Sequence, residues 1–490
     1  MTIDRRTLIR DIALAGSALA VAPRLALGQS ATITLNTPAP APFVVDPRDP
    51  WASLPRLLAR ITPPRIPRRD FAITKYGAKA GADASAAIRK AIDAASKAGG
   101  GRVVVPAGEW PTGPIRLQSR IELHVSEGAT LRFTRDTTKY PLVHSRWEGV
   151  ELMNYSPLIY AFECEDVAVT GTGTLDGQAD DEHWWPWKGV TTGKRADVTK
   201  NNDGPAPQLA DRNRLFQQAE DGVPVAQRVY GQGHFLRPSF IEPYRCKNVL
   251  IEGVTITNAP FWLIHPTLCT NVTVRGIKAV SHGPNNDGCD PESCRDVLIE
   301  DCLFDTGDDC IALKSGRNAD GRRLATPVEN VIVRNCVMKD GHGGITVGSE
   351  ISGGARNVFA EKCRLDSPDL ERALRFKTNT LRGGVIENVF VRDIEIGTVN
   401  LAPIEIDLRY EPRDKGPFIP EVRNILVERM SSKKSKHALY IVGLEQAPIR
   451  NVIVRESSFR GVAQGHVIEG LVELTLDRVI TEAAPKEPKK

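Results

Sequence analysis

Short runs of alternating apolar and polar residues recur along most of the chain, and each begins with asparagine or aspartate. They start at Asp166, Asn248, Asn271, Asp296, Asn330, Asn357, Asn388, Asn424 and Asn451. From Asn248 onward the starts are 23, 25, 34, 27, 31, 36 and 27 residues apart. A single such unit cannot bury its apolar face, whereas stacked units close a continuous core. The pattern therefore predicts a β-solenoid with loops of variable length.

One segment before the repeats has convincing helical periodicity. From Asp83 onward, apolar residues recur at helical spacing, and the triplet Gly99-Gly100-Gly101 ends the segment. The next residues, R-V-V-V-P, are typical of a buried strand. We therefore predict an all-β solenoid with an N-terminal capping helix.

The two ends of the chain differ from the repeats. Arg5 and Arg6 precede an apolar stretch and a small-residue site at residues 26–28, so residues 1–28 are predicted to be a twin-arginine export signal. An ordinary secretory signal remains the alternative, and either one places the protein in the periplasm or outside the cell. Proline-rich residues 29–67 predict a linker or a surface strap. Residues 68–480 are assigned to the solenoid and residues 481–490 to a flexible tail.

Composition excludes several classes of protein. The chain is 41% apolar and 25% charged, with a net charge of +4 and no long basic block, so we expect no nucleic-acid partner. No second stretch of 18 apolar residues exists, so we expect no membrane span. We also expect a monomer.

Nine cysteines lie in the predicted solenoid, several of them inside apolar strands. They lack metal-binding spacing, and we expect mostly reduced thiols that pack as small hydrophobic groups. Bridges between Cys289 and Cys294 and between Cys302 and Cys310 remain open alternatives.

Polar residues occur at a similar position within three successive repeats, in residues 283–293, 307–315 and 341–349. Aligning the serines that close these segments places Asp287 level with Asp309, and Asp308 level with His342. Residues of equal phase in neighbouring coils lie about 4.8 Å apart. We therefore expect one polar patch across four coils, completed by the next repeat and containing Asp287, Asp308, Asp309, His342, Arg375 and Lys377.

Side-chain alternation indicates how these residues are oriented. If the intervening apolar residues face the core, then Asp308, His342, Arg375 and Lys377 face outward. Strict alternation would bury Asp287 and Asp309, so we expect both to lie on the turn before their strands.

Three crowded carboxylates raise one another's pKa, so that one stays protonated while another is ionised. Hydrolysis of a glycosidic bond needs such a pair, and adjacent coils allow the separation of roughly 6.5–9.5 Å typical of inverting enzymes. Arg375 and Lys377 then form a cationic seat for a sugar carboxylate. The alternatives are solvated Asx-turns and a calcium site.

At these residues the sequence resembles the polygalacturonases of glycoside hydrolase family 28. The likeness runs from Asp70 to about residue 470 and includes Y-G-A-K-A-G-A-D, G-G-G-R-V-V-V-P-A-G and P-F-W-L-I-H-P. It implies a single-stranded right-handed parallel β-helix of the pectin-lyase-like type, and an inverting hydrolase of α-1,4 galacturonosidic bonds that needs no cofactor or metal. Insertions after Lys314 and at residues 176–236 resemble the exo-acting bacterial branch.

The resemblance also implies roles for the polar patch. Asp308 matches the general acid, Asp287 and Asp309 match the pair that holds and deprotonates the attacking water, and His342 matches the histidine that tunes the acid. Arg375 and Lys377 match the residues that bind the galacturonate carboxylate. The usual Asn-Thr-Asp reads Asn285-Asn286-Asp287 here, and the aspartate is retained.

Further substrate contacts are expected from Asn285, Tyr410 and Trp184. The segment H-W-W-P-W, residues 183–187, either stacks on sugar rings or forms a hydrophobic plug on the solenoid. Three rival functions remain: a hydrolase of rhamnogalacturonan or decorated pectin, a calcium-dependent pectate lyase, and a non-catalytic sugar-binding solenoid.

Overall fold

A computed structural model describes residues 43–189, 206–411, 415–470 and 472–485. The predicted export signal, residues 1–28, and the first part of the proline-rich segment lie outside the described residues. So do residues 486–490 of the predicted tail. Among the described residues, no helix has the length and apolar character needed to cross a bilayer.

Parallel strands stacked coil upon coil make up most of the described chain. The largest sheet has 23 strands in two tracks. Its first track consists of Asp70–Ala72, Gly101–Val105, Ile121–Val125, Glu165–Gly171, Lys247–Glu252, Thr270–Arg275, Arg295–Glu300, Val328–Arg334, Ala355–Glu361, Val385–Thr398, Glu421–Lys434, Ile449–Arg455 and Val472–Asp477. Its second track consists of Gly108–Thr112, Ala129–Phe133, Thr174–Asp176, Thr255–Thr257, Lys278–Ser281, Leu303–Thr306, Val337–Met338, Arg364–Leu365, the second halves of two first-track strands, Ser458–Val462 and Ile480–Ala483.

A third face of short parallel strands completes each coil. Three strands come first and six follow, and isolated bridges through Ile264 and Cys289 link the two groups. The strands are Ile115–Arg116, Ile159–Phe162, Ile241–Tyr244, Ile311–Leu313, Ile345–Val347, Arg372–Lys377, Ala402–Asp407, Leu439–Val442 and Val467–Glu469. The predicted right-handed parallel β-helix is confirmed.

Helices cap and flank the coils. The α-helices are α1 (Leu54–Leu58), α2 (Ser85–Lys97), α3 (Pro207–Glu220) and α4 (Asn318–Leu324), and the 3-10 helices are Pro50–Ser53, Ile73–Tyr76, Thr137–Lys139, Trp185–Trp187 and Val225–Gln227. The predicted capping helix is α2, whose buried residues are Ala87, Ile88, Ala91, Ile92 and Ala95. An antiparallel hairpin, Leu142–Trp147 with Val150–Tyr155, projects beside the third face.

The last strand corrects one predicted boundary. Ile480–Ala483 pairs with the coil before it, so the solenoid extends three residues beyond residue 480.

The asparagine at each repeat start has a structural cause. These residues adopt positive φ, for example 56° at Asn357, a conformation that asparagine tolerates better than most residues. Their amides also bond from coil to coil. The Asn357 amide donates to the Asn330 Oδ1 at 3.0 Å, and the Asn388 amide donates to the Asn357 Oδ1 at 3.2 Å. Aspartate at such a position can only accept, so Asp296 interrupts the ladder.

Residues from Phe43 onward form a strap along this ladder. The backbone N–H of Thr62 donates to Asn271, and Arg60 pairs with Asp296 at 2.8 Å, which satisfies the ladder where it is interrupted. Leu57 of α1 packs on an outward-facing apolar row made of Leu298, Ile332, Phe359, Phe390 and Leu426. This row needs the strap because it would otherwise expose a continuous apolar surface.

The nine cysteines are all free thiols, eight of them buried. Several stack in register along the coils: the Cys246 N–H points to the Cys269 sulfur at 3.3 Å, and the Cys269 N–H points to the Cys294 sulfur at 3.4 Å. Neither alternative bridge is formed.

Asn357→Ala is expected to lower the free energy of unfolding by about 2–4 kcal/mol. It removes a residue suited to positive φ and leaves the buried Asn330 Oδ1 and the partly buried Asn388 amide unpaired. Asn357→Gly restores the backbone preference alone and should recover about 1 kcal/mol of this loss. Asn451→Ala, at the exposed end of the ladder, serves as the control. Equal losses at positions 357 and 451 in urea denaturation would contradict a stabilising role for the ladder.

Candidate active site

The polar patch lies on the third face, where the register has the predicted alignment. Cys289 bridges to Ile311, which pairs with Ile345, and Ile345 pairs with Leu374. Asp287 is therefore level with Asp309, and Asp308 is level with His342. Asp287 and Asp309 lie outside the strands, just before the third-face positions of their coils, as predicted, but both are buried, so leaving the strand does not bring them to the surface.

Asp309 is surrounded by cations and a hydroxyl. The Lys377 ammonium donates to its Oδ2 at 2.6 Å, the Thr346 hydroxyl donates to its Oδ1 at 3.0 Å, and an Arg375 Nη1 lies 3.4 Å from the same oxygen. Burial favours the neutral carboxyl, but the Lys377 and Arg375 charges outweigh it and hold the pKa of Asp309 below its usual value. Asp309 is thus ionised.

Asp308 is the most accessible of the three carboxylates and pairs with His342. Its Oδ1 lies 3.0 Å from the His342 Nδ1. Burial opposes ionisation of Asp308, yet the His342 charge lowers the pKa of Asp308 strongly. The Asp308 carboxylate in turn raises the pKa of His342 against the effect of burial. These opposite shifts favour the ion pair of an Asp308 carboxylate with a His342 imidazolium in the free protein.

Asp287 is in the opposite electrostatic situation. Its burial, followed by the charges of Asp290 and Asp308, raises its pKa well above the usual value. The predicted divergence of carboxyl pKa values is thus present, with Asp287 favouring the neutral form.

Two residues beside Asp287 were missed by sequence reasoning. Asp290 is fully buried, and the Lys314 ammonium lies 3.5 Å from Asp287 and 3.7 Å from Asp290. Lys314 was detectable, because it shares the outward parity of Asp308 and is level with Lys377. Asp290 was equally detectable, because the bridge from Cys289 to Ile311 places Asp290 level with Ala312, at the same outward parity as Lys314.

The nearest oxygens of Asp287, Asp308 and Asp309 lie within 4.8 Å of one another. This is closer than the roughly 6.5–9.5 Å separation of inverting pairs that was expected from coil spacing, because the turns direct the carboxylates toward one point. Such a cluster also suits a cation, but calcium requires six to eight oxygen ligands. Here Lys314, Lys377 and His342 already contact the carboxylate oxygens, which favours acid–base chemistry.

The cluster opens into a cavity of about 830 Å³. Inserted segments form one wall of it: Glu148 from the hairpin tip, Arg212 from α3, and Arg317 just before α4. Glu148 accepts from Arg212 at 2.9 Å and from Arg317 at 3.4 Å. Arg317 also pairs with Glu350 at 3.1 Å, and Glu350 pairs with Lys314 at 3.1 Å. Alternating charges therefore link the wall to Asp287.

Of the three remaining predicted residues, two line the cavity and one does not. Tyr410 lines the cavity, with its ring 5.6 Å from the Arg375 guanidinium. Asn285 also lines it, and its Oδ1 accepts from Arg237 at 2.8 Å. The prediction that Trp184 contacts substrate is wrong, because Trp184 is buried in the core against Tyr140 and Tyr155. Its neighbour Trp185 is the tryptophan that lines the cavity.

Comparison with known proteins gives consistent results. The sequence profile of glycosyl hydrolases family 28 matches residues 230–470. The solved structure of a hyperthermoactive exopolygalacturonase from Thermotoga maritima has 45% identity and a TM-score of 0.83, over 87% of this chain and 95% of that one.

Two curated relatives are more distant. A probable polygalacturonase from Vitis vinifera is 27% identical over 373 residues, which are 73% of this chain and 66% of the relative. The exo-poly-alpha-D-galacturonosidase of Dickeya chrysanthemi is 26% identical over 364 residues, which are 69% of this chain and 57% of the relative. The chain thus spans less than two thirds of the length of either relative.

Proposed function

The chain belongs to glycosyl hydrolases family 28, and we propose that it hydrolyses α-1,4 galacturonosidic bonds in pectin, releasing sugar units from a chain end. The observation that carries this proposal is the Asp308–His342 pair, which opens into a cavity beside Asp287 and Asp309. It supplies a proton donor and an ionised base at one point.

The proposed reaction uses these groups in turn. Asp309, with Asp287, positions a water molecule and accepts its proton as the water oxygen attacks the anomeric carbon. The bond from this carbon to the glycosidic oxygen breaks, and Asp308 donates a proton to that oxygen. Asp308 is ionised in the free protein, so it receives this proton from His342 at 3.0 Å. Single displacement by water inverts the anomeric carbon.

Charge in the cavity supports an acidic sugar as substrate. Arg375 and Lys377 line the cavity near the carboxylate cluster, with Tyr410 beside both of them. A uronic acid carboxylate can accept hydrogen bonds from both cations. The wall built from the inserted segments supports exo action, because it restricts the cavity on one side to the end of a chain.

Product analysis on polygalacturonate in the presence of EDTA tests this proposal. We expect galacturonate monomer from the earliest time points, without the ultraviolet absorbance of an unsaturated product. Unsaturated product that disappears with EDTA would establish a lyase. Oligomers of mixed length at early times would contradict exo action, and intact polygalacturonate with cleavage of rhamnogalacturonan would reassign the substrate.

The pH dependence of kcat/KM tests the proton source. The Asp308 charge raises the pKa of His342 above its ordinary 6.5, so the imidazolium persists to higher pH, and activity should fall only above this value. His342→Gln keeps a hydrogen-bond donor but cannot supply a proton. We expect His342→Gln to lower kcat/KM by about 10²-fold. The fall in kcat/KM at high pH, the alkaline limb of the profile, should also disappear in this variant. An unchanged limb in the variant would assign the limb to another group.

We further propose that the protein is exported, to the periplasm or beyond the cell, and acts as a monomer. The twin arginines at residues 5 and 6 and the pectic substrate support export. Fractionation of cells that produce the full chain, followed by size-exclusion chromatography, tests both statements.

A further inference from the structure

Within the described part of the chain, one cation in the wall of the cavity has no hydrogen-bond or ion-pair partner. Lys188 lines the cavity together with Arg212 and Arg317. Both arginines pair with Glu148. Among the described residues, no hydrogen bond or ion pair engages the Lys188 ammonium, although the residue is partly buried. A partly buried ammonium normally has such a partner.

A second cation behind the wall also lacks a carboxylate. Arg237 is fully buried, and its guanidinium donates to the carbonyl oxygens of Pro260 and Pro284 at 2.9 and 2.7 Å, and to side-chain amide oxygens. These acceptors are neutral, so nothing within ion-pair distance in the described part of the chain balances the Arg237 charge. Burial lowers the pKa of Arg237 to about 9, which leaves it charged at neutral pH.

The two charges act on the same region. Burial, together with the positive charges of Arg237 and Arg212, lowers the pKa of Lys188 even though Glu148 opposes the shift. Glu148 is shared by Arg212 and Arg317 and cannot neutralise Lys188 and Arg237 as well. Lys188 and Arg237 therefore have no carboxylate within ion-pair distance in the described part of the chain, and an anion bound beside Lys188 would offset their charge.

We propose that Lys188 and Arg212, with the field of buried Arg237 behind them, bind the carboxylate of the uronic acid at the end of the chain. This inference rests on the proposed function and deepens it. A uronic acid held between the wall and Asp308 has one anionic group, and charge-assisted hydrogen bonds to two cations suit a carboxylate. This carboxylate-binding seat, formed by Lys188 and Arg212, is distinct from Arg375 and Lys377, which contact Asp309. It makes the terminal sugar's charge a determinant of specificity.

Calorimetric titration with galacturonate and with galactose tests the seat without requiring turnover. The proteins compared are the parent, Lys188→Met, and Lys278→Met as a control at an exposed position on the outer sheet. Lys188→Met removes the charge and keeps most of the side-chain length, and no described partner is left unpaired. We expect galacturonate to bind 10- to 100-fold more weakly to Lys188→Met than to the parent, because a hydrogen bond between charged groups is lost. Lys278→Met should match the parent, and galactose should bind equally weakly to all three proteins.

The same proteins are then assayed on trigalacturonate, where Lys188→Met should lower kcat/KM by a similar factor. Equal galacturonate affinity in the parent and Lys188→Met, or no galacturonate binding by the parent, would overturn the seat. Loss of galacturonate binding in Lys188→Met, combined with no cleavage of any galacturonate oligomer by the parent, would support the seat and contradict the proposed function. The two failures are therefore distinguishable.

Discussion

Asp308→Asn is expected to lower kcat on polygalacturonate by about 10³-fold or more, with the fold retained. Asparagine has nearly the same shape, and its Oδ1 can still accept from the backbone N–H of Asp309, as the carboxylate does at 2.9 Å. It cannot pass a proton from His342 to the leaving oxygen, so the departing group must leave as an alkoxide. The loss should appear in kcat rather than KM, because the proton is transferred only in the transition state.

Stability supplies a second readout for this variant. Asp308 contributes to the raised pKa of Asp287, so removing its charge relieves repulsion in the cluster. The substitution also removes the ion pair with His342, which lowers the pKa of Asp308 strongly, and this loss outweighs the relief, so the melting temperature should fall moderately while unfolding stays cooperative. Asp305→Asn, just before the cluster and paired with His282 at 3.2 Å, is the matched control and should retain its activity. If Asp308→Asn kept a tenth of the parent's kcat, another group would be the acid.

The repeat sequence predicted the coils and the catalytic patch for the same physical reason. Each coil has the same register, so a residue's distance from the start of its repeat determines its position along the solenoid. Asp308 and His342 are both 12 residues from their starts at Asp296 and Asn330, and their side chains pair in the structure. Breaks in strand alternation predicted that Asp287 and Asp309 leave the strand, but not that both are buried there.

The wall could not be predicted in this way. Glu148 contacts Arg317, 169 residues later in the chain, and neither residue belongs to a repeat. Their pairing depends on how the hairpin and α4 fold back over the coils. Trp184 illustrates the same limit. Adjacent tryptophans suit a sugar platform or a core plug, and only packing against Tyr140 and Tyr155 buries Trp184 and leaves Trp185 in the cavity.

Charge balance explains how the solenoid tolerates its active site. Three carboxylates whose nearest oxygens lie within 4.8 Å repel one another. Lys314 faces Asp287, His342 faces Asp308, and Lys377 with Arg375 faces Asp309. Lys377 and Arg375 keep Asp309 ionised and His342 keeps Asp308 ionised, so losing one of these cations leaves a carboxylate with less compensation. The cations are therefore as necessary to the fold as to the chemistry.

Lys377→Met is expected to lower the free energy of unfolding by about 3–5 kcal/mol at neutral pH and to reduce kcat/KM strongly. The ammonium lies 2.6 Å from Asp309, and both side chains are buried, so methionine leaves the carboxylate buried with Arg375 as its remaining cation. Since Lys377 holds the pKa of Asp309 down, the parent's ion pair stabilises the fold above the ordinary pKa of aspartate. That contribution disappears as pH falls through the lowered pKa of folded Asp309.

The stability difference between Lys377→Met and the parent should therefore be largest at neutral pH and shrink in acid, where Asp309 can take up a proton in the variant. Urea denaturation at several pH values measures this difference. Lys377→Arg keeps the charge and should lose less stability, while the exposed control Lys278→Met should lose almost none. A loss in Lys377→Met that is independent of pH would indicate lost packing of the lysine side chain, because a methionine that merely packs poorly has no group to titrate.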